Sequence, residues 1–527
     1  MNTSNFRQLL RAWVALLLTG LLSSPADARS LILAIGGEPD GGFDPVTGWG
    51  EYGHPLFQAT LLRHTPDLEI EGDLAVDWSL SEDRKTWRIT LRDDARFSDG
   101  TPLTAADVVH TFNAARDAGG LTDATALREA RATGAFAVEL DLHAPQTTFV
   151  RRLLTLGIVP AATYGPGYAR APVGAGPLRM VEWREGEQLV TEPNPYWHGG
   201  KIGFDRISFV FGSEDAGLAL AQSGMAQLVA VPPAQAGRAP AGMVAIGRQT
   251  VDNRGIAFPM LPRQERPSAE GHPVGNDVTS DPAIRRAINL ALDRSVLVEL
   301  ALNGKGRPAF GPVDGLPWDN PAARLESADP AAAAAVLAEA GWLDEDGDGQ
   351  LARDGVAASF DLVYPASDRT RQALALGVAD QLRTIGIRAE ALGRSWAEIG
   401  ALKHSAAVLF GWGAHDPQEV YNLHHSAMAG IEYFNPGFYS NPAVDAHLDA
   451  AQAAASPEAA IAHWQAAQWD GETGFGARGD ASWAWLVNLE HTYFVSDCLD
   501  LGPPQIHPHG HGFPITHNIA NWAWTCE

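Results

Sequence analysis

The stretch that most constrains the fold is DPAIRRAINLALDRSVLVELALNG, Asp281 to Gly304. Its apolar residues recur at helical spacing, Pro282 stands in the first turn where a missing N–H costs nothing, and Gly304 can stop the helix. Asp329 to Gly341, Thr370 to Ile385 and Asn441 to Ala455 read the same way, each followed by turn residues or a short apolar strand. Between such helices lie strand patterns. Ser30 to Ile35 is a short apolar run ending in glycine-rich sequence, and Trp87 to Arg92 alternates like a half-buried strand before the turn Ser98-Asp99-Gly100. Thr104 then precedes a helix through Phe112, with Asp107 placed as its capping-box partner. Helices alternating with strands and no internal repeat predict an α/β protein, and 527 residues are too many for one core, so more than one lobe is expected.

Charge narrows the partners. With 38 Lys+Arg against 63 Asp+Glu the formal charge is −25, which repels nucleic acid and anionic lipid; a solvated acidic surface accounts for the same number. Residues 1–28 carry Arg7 and Arg11, an apolar run from Ala12 to Leu22 and an Ala26-Asp27-Ala28 site, the pattern of a secretory signal. The mature chain is expected in a periplasm-like space, soluble, with no cysteine near the cleavage site to carry a lipid anchor. The two cysteines, Cys498 and Cys526, read as a disulfide tying down the C-terminal tail.

The histidines are the chemically unusual feature. IHPHGHG places His507, His509 and His511 at alternate positions in a segment that Pro508 and two glycines keep from being helical, so several imidazoles can share a side. Neutral imidazole suits nickel, copper and zinc, although an exposed polar loop explains the same residues. GWGAHDPQEVYNLHHS adds His415, His424 and His425; adjacent histidines on a helix diverge by about 100°, so one could face a cleft and the other solvent. His54 lies in glycine-rich GWGEYGHPLF. DEDGDGQLARDG imitates a calcium loop, with Asp344, Asp346 and Asp348 at its first, third and fifth positions, but Gly355 replaces the closing glutamate, so it reads as a connector. HExxH, G-x-S-x-G and phosphate-loop motifs are missing, which argues for a binder over an enzyme.

Several blocks, in order, resemble the extracytoplasmic solute-binding proteins of peptide and nickel ABC importers, bacterial family 5. They are GDLAVDWSLSEDRKTWRITLRDDARFSDGTPLTAADVVHTF, GAGPLRMVEWREGEQLVTEPNPYWHGGK, IRRAINLALDR, AEAGWLDEDGDGQLARDG and YSNPAVDAHLDAA. The resemblance implies a two-lobed periplasmic-binding-protein clamshell of type II with an extra inserted α/β subdomain. Residues 29–62, 173–270 and 490–527 would form lobe I, 63–172 the inserted subdomain and 271–489 lobe II. It also implies a monomer that works with separate permease and ATPase chains and contacts the membrane only through the permease.

The chain looks closest to the nickel branch, which implies nickel held as a chelate with a small carboxylate-bearing molecule such as histidine, as transported ligand and not as a covalent cofactor. Carried over by position, the metal candidates are His54, His424, His425, His507, His509 and His511. Arg371, with Arg369 close by, would receive the chelator's carboxylate, and Trp49, Trp412 and Tyr421 would wall the pocket. A di- or oligopeptide receptor of the same family is the alternative. Peptide binders capture the amine with an aspartate a few residues upstream of an Asp-Pro pair, and the run before Asp416-Pro417 has no acid. A periplasmic metal chaperone or sensor outside any transporter is the third reading.

Overall fold

The computed structural model describes residues 29–527 except 40, 119–121, 432, 511 and 527. The expected signal segment and His511 lie outside the described residues. One 11-stranded sheet runs through the molecule, in the order Arg388–Arg394, Ser359–Pro365, Ala407–Phe410, Met243–Ala257, Trp483–Ser496, Leu228–Val231, Ser30–Ala34, Arg206–Val210, Gln188–Pro193, Leu178–Arg184, with Gly306–Pro308 on the side of Trp483–Ser496. The two longest strands, Met243–Ala257 and Trp483–Ser496, are antiparallel neighbours that pass from one lobe to the other. Their ladder runs in register from Met243↔Ser496 to Gln249↔Glu490, breaks, and resumes at Asn253↔Asn488. This is the type II periplasmic-binding clamshell.

The three largest of its hydrophobic core clusters fall in different parts of the chain. Leu33, Phe57, Phe209 and Trp522 belong to the first lobe, and Ile284, Leu362, Leu374 and Leu486 to the second. The inserted unit has its own antiparallel sheet, in the order Ala75–Leu80, Thr86–Leu91, Ala137–Leu142, Leu127–Gly134, packed against the helix Ala105–Ala118. In Thr86–Leu91 the alternation holds: Trp87, Ile89 and Leu91 point into that core, and Arg88 and Thr90 point out.

Two local expectations change. The helix expected from Asp281 breaks after Ala291 and restarts at Arg294, because the Asp293 carboxylate accepts the N–H groups of Ser295 and Val296 at 3.0 and 3.1 Å and so caps a second helix. Of the capping box at Thr104, the Asp107 half is made: its carboxylate accepts from the Thr104 N–H at 2.9 Å.

Cys498 and Cys526 are bonded, as expected, with Cα atoms 5.1 Å apart, beside the short pairing of Leu499–Asp500 with Ala523–Trp524. The segment they enclose buries Phe513, Ile515, Ile519 and Trp522 in the first lobe. Closing a loop with a sequence separation of 28 restricts the unfolded chain by about 3–4 kcal/mol. Replacing both cysteines by serine is therefore expected to lower the free energy of unfolding by about that much, measured by urea denaturation followed by circular dichroism.

Candidate functional site

Side chains from four distant stretches close on a cavity of about 330 Å3. Tyr52 and His54 come from the loop near the first strand, Arg63 and His64 from the strand Leu62–His64, His415 from the loop after Ala407–Phe410, and His517 from the tail. The His64 and His415 rings meet edge to face with centroids 6.0 Å apart. Burial keeps these imidazoles neutral: it pulls His54 and His64 down to about 4 and His415 to about 3, with Arg151 opposing a second positive charge at His64 and His415.

Neutral rings differ by tautomer. His415 hydrogen-bonds the backbone of Ile506 while its Nε2 is buried without a partner, so an unspent lone pair remains. His54 Nδ1 accepts the Leu56 N–H at 3.2 Å, which leaves Nε2–H as its free donor. In this state His54 can hold a solute carboxylate more readily than a metal.

Carboxylates around the cavity are already engaged. Glu51 receives Arg151 Nε at 2.9 Å and both terminal nitrogens of Arg152 at 2.8 Å; burial raises its pKa, but the two guanidinium groups outweigh it and leave it low. Glu71 pairs with Arg63 at 2.9 Å, and Asp416 lies 3.5 Å from Arg151. Glu419 is buried, and that burial lifts it to about 8, so at neutral pH it is a carboxylic acid, with one oxygen accepting the Gly413 N–H at 3.0 Å.

Behind the cavity wall, at the break between the crossing strands, sits Asp252, 2% exposed. It takes Arg254, His509 Nδ1 at 2.6 Å and His491 Nε2 at 3.3 Å. His491 Nδ1 lies 3.2 Å from His507 Nδ1, and the buried Nε2 of His507 has no partner. His507 itself is fully buried, and burial holds its pKa well below the usual value. Pro508, between the two histidines, lines the cavity.

The expected site residues therefore divide. His54 lines the cavity, and His507 and His509 stand behind it. His424 and His425 do not join them. His424 is fully buried, its ring stacked on Phe475 at 3.6 Å and its Nδ1 3.1 Å from the Val420 carbonyl, while His425 stacks on Tyr421 at 4.4 Å and reaches Asp449 at 3.2 Å. Both sit where helix Gln418–His424 meets helix Pro442–Gln452, so apolar packing and ring stacking occupy them and Tyr421. Trp49 is core, packed on Phe43 and Phe513, its N–H donated to Pro55. Trp412 packs against Phe434, Arg371 is buried beside Asp368, and Arg369 is exposed. Sequence reasoning missed His64, His491, His517, Asp252 and Arg254. Lone histidines gave no signal, but the polar run Asp252-Asn253-Arg254 between apolar strand residues could have been noticed. Among the described residues, the only three-residue set with metal-ligand atoms within 4.8 Å of one another is the exposed Asp344, Asp346 and Asp348. There Asp344 accepts from the Gly347 and Gly349 N–H groups of its own loop.

Residues 69–429 match the family profile described as bacterial extracellular solute-binding proteins, family 5 Middle. Protein XP55 of Streptomyces lividans is 34% identical over 492 residues, 90% of this chain and 86% of that one. The oligopeptide-binding protein AppA of Bacillus subtilis is 26% identical over 454 residues, 78% of this chain and 80% of its own. In fold, the chain is similar to NikZ from Campylobacter jejuni, solved in complex with Ni(L-His), with a TM-score of 0.77 at 19% identity over 95% of this chain and 100% of NikZ.

The depressed imidazoles set a pH dependence. Above pH 6.5 they are neutral folded or unfolded, and their burial carries no protonation penalty. As pH falls toward 4 the unfolded chain binds protons that folded His54, His64 and His415 refuse, so stability drops by up to about 2 kcal/mol for each at pH 5. Urea midpoints at pH 7.5 and 5.0 should show this loss, and H64Q/H415Q should show a smaller one.

Proposed function

The chain belongs to the bacterial extracellular solute-binding proteins of family 5, and from that premise we propose that it captures nickel as a small carboxylate-bearing chelate, such as its histidine complex, for an ABC importer. Proteins of this family are extracytoplasmic and work with permease and ATPase subunits on other chains; among the described residues no helix is long and apolar enough to cross a membrane. Our reading puts the mature chain in a periplasm, as a monomer.

The observation that carries the nickel reading is His415: a neutral imidazole at the cavity, with a buried, unspent Nε2 lone pair. It stands immediately before Asp416-Pro417, the stretch in which a peptide receptor would hold its amine-binding acid. The acids that are present, Glu51, Glu71 and Asp416, each face a guanidinium, which leaves little for a peptide ammonium. A chelate fits better than a bare ion, because the cavity offers few free lone pairs while Arg63 and the Nε2–H of His54 can meet carboxylates. The lobes would close around it only to the extent that the closed form binds it more tightly.

Calorimetric titration of the mature protein with nickel, with nickel–histidine and with a dipeptide panel tests the proposal. Nickel–histidine should bind, His415→Ala should weaken it at least about tenfold, and His424→Ala should lower stability while leaving affinity within about twofold. Tight dipeptide binding without a response to nickel would favour the peptide reading suggested by relatives such as AppA.

A further inference from the structure

The two imidazoles that touch at the cavity come from different units of the fold. His64 ends the strand Leu62–His64, whose Leu62 lies in the core of the inserted unit, and His415 follows the strand Ala407–Phe410 of the second lobe. Side chains close in sequence to His415 bridge these units. Thr148 Oγ1 and Gln146 Nε2 donate to Gln418 Oε1 at 2.6 and 3.2 Å, and Arg151 stands 3.5 Å from Asp416. The rings meet because the units are in contact, and separating the units would part them.

Neither ring is spent. His415 Nε2 is buried without a partner, and among the described residues no hydrogen bond engages a ring nitrogen of His64. Unpaired buried acceptors are rare in folded proteins, and rings that only pack would not require them. Separation decides whether one ion can use both. At a metal–nitrogen bond of about 2.0–2.1 Å, two imidazoles on one ion have centroids at most about 6.5 Å apart. These lie at 6.0 Å. Arg151 is near both rings, but Glu51 at 2.9 Å and Asp416 at 3.5 Å offset its charge, so an incoming cation does not meet a bare guanidinium. His54, by contrast, has already committed Nδ1 to the Leu56 N–H.

We propose that His64 and His415 both ligate the metal of the chelate, one imidazole from the inserted unit and one from the second lobe, as a clip across the cleft. This rests on the nickel reading; it adds the second ligand and assigns the closing force to the metal instead of the chelator. An ion held by one ring has no preference for closure. An ion held by both binds the closed form more tightly, and only such a difference can shift the lobes.

Pulsed EPR of the mature protein loaded with copper(II)–malonate, a chelate that carries no nitrogen, counts the protein imidazoles on the ion. Calorimetry with nickel–malonate and nickel–histidine reads affinity, on wild type, H64Q and H415Q, with thermal melts of each; H64N stands in if H64Q does not fold. Wild type should show two imidazoles, and each variant one, with nickel–malonate bound at least about tenfold more weakly. X-ray scattering should show wild type contracting on loading and H64Q not. A purely packing role for His64 would lower the melting temperature and leave the count unchanged. A wild type with a single imidazole, a folded His64 variant that keeps two or binds as tightly as wild type, or a wild type that takes nickel–histidine but not the malonate complex overturns the clip and leaves the nickel reading. A wild type that binds neither nickel complex overturns both.

Discussion

The buried carboxylate of Asp252 is the constraint on which the rest depends. An ionised group at 2% exposure must be matched, and leaving one such partner unpaired costs roughly 3–5 kcal/mol. The match comes from three places: Arg254 on the same strand, His491 on the neighbouring crossing strand and His509 in the tail. Backbone bonds follow the same path. His507 N–H donates to Gln249 at 2.8 Å, Val251 N–H donates back to His507 at 2.9 Å, and His509 N–H reaches Gly413 at 2.6 Å. The tail thus fills the ladder where the two crossing strands lose register, and that insertion puts Pro508 into the cavity wall.

Asp252 also separates two chemistries. On one side lie neutral imidazoles around a cavity whose carboxylates are bound to guanidinium groups; on the other, Arg254 and Arg371 sit with unspent donors. Replacing the Asp252 carboxylate would unpair Arg254 and release His491 and His509 together. Its effect on binding would therefore be larger than the sum of its contacts suggests.

Legibility in the sequence followed physical locality. Helix boundaries set by Pro at the first turn and by Asp or Asn caps were readable, as at Asn441 and Asp329, because a cap is decided within four residues. The break at Asp293 was local too, but the uninterrupted apolar spacing across it concealed the second cap. The disulfide was readable from count and compartment. The site was readable only in part. His424 has the same sequence signature as a ligand and as a stacked core imidazole, and only the position of Phe475, 51 residues on, decides between them. His64 and His415 meet across more than three hundred residues, and nothing in either local sequence announces the other.

The same reasoning explains why the histidine-rich tail is both structural and close to the solute. A loop of alternating histidines free in solvent would bind metal without selectivity, since affinity at nitrogen sites is governed more by the metal than by the protein. Here the backbone of His507 is fixed by ladder bonds, the ring of His509 is fixed by Asp252, and the disulfide limits how far the segment can withdraw. Selectivity then passes from the tail's ligand atoms to the shape it imposes. Pro508 and His517 line the same cavity as His64 and His415, so what can reach the His415 lone pair depends on the size and charge of the whole complex.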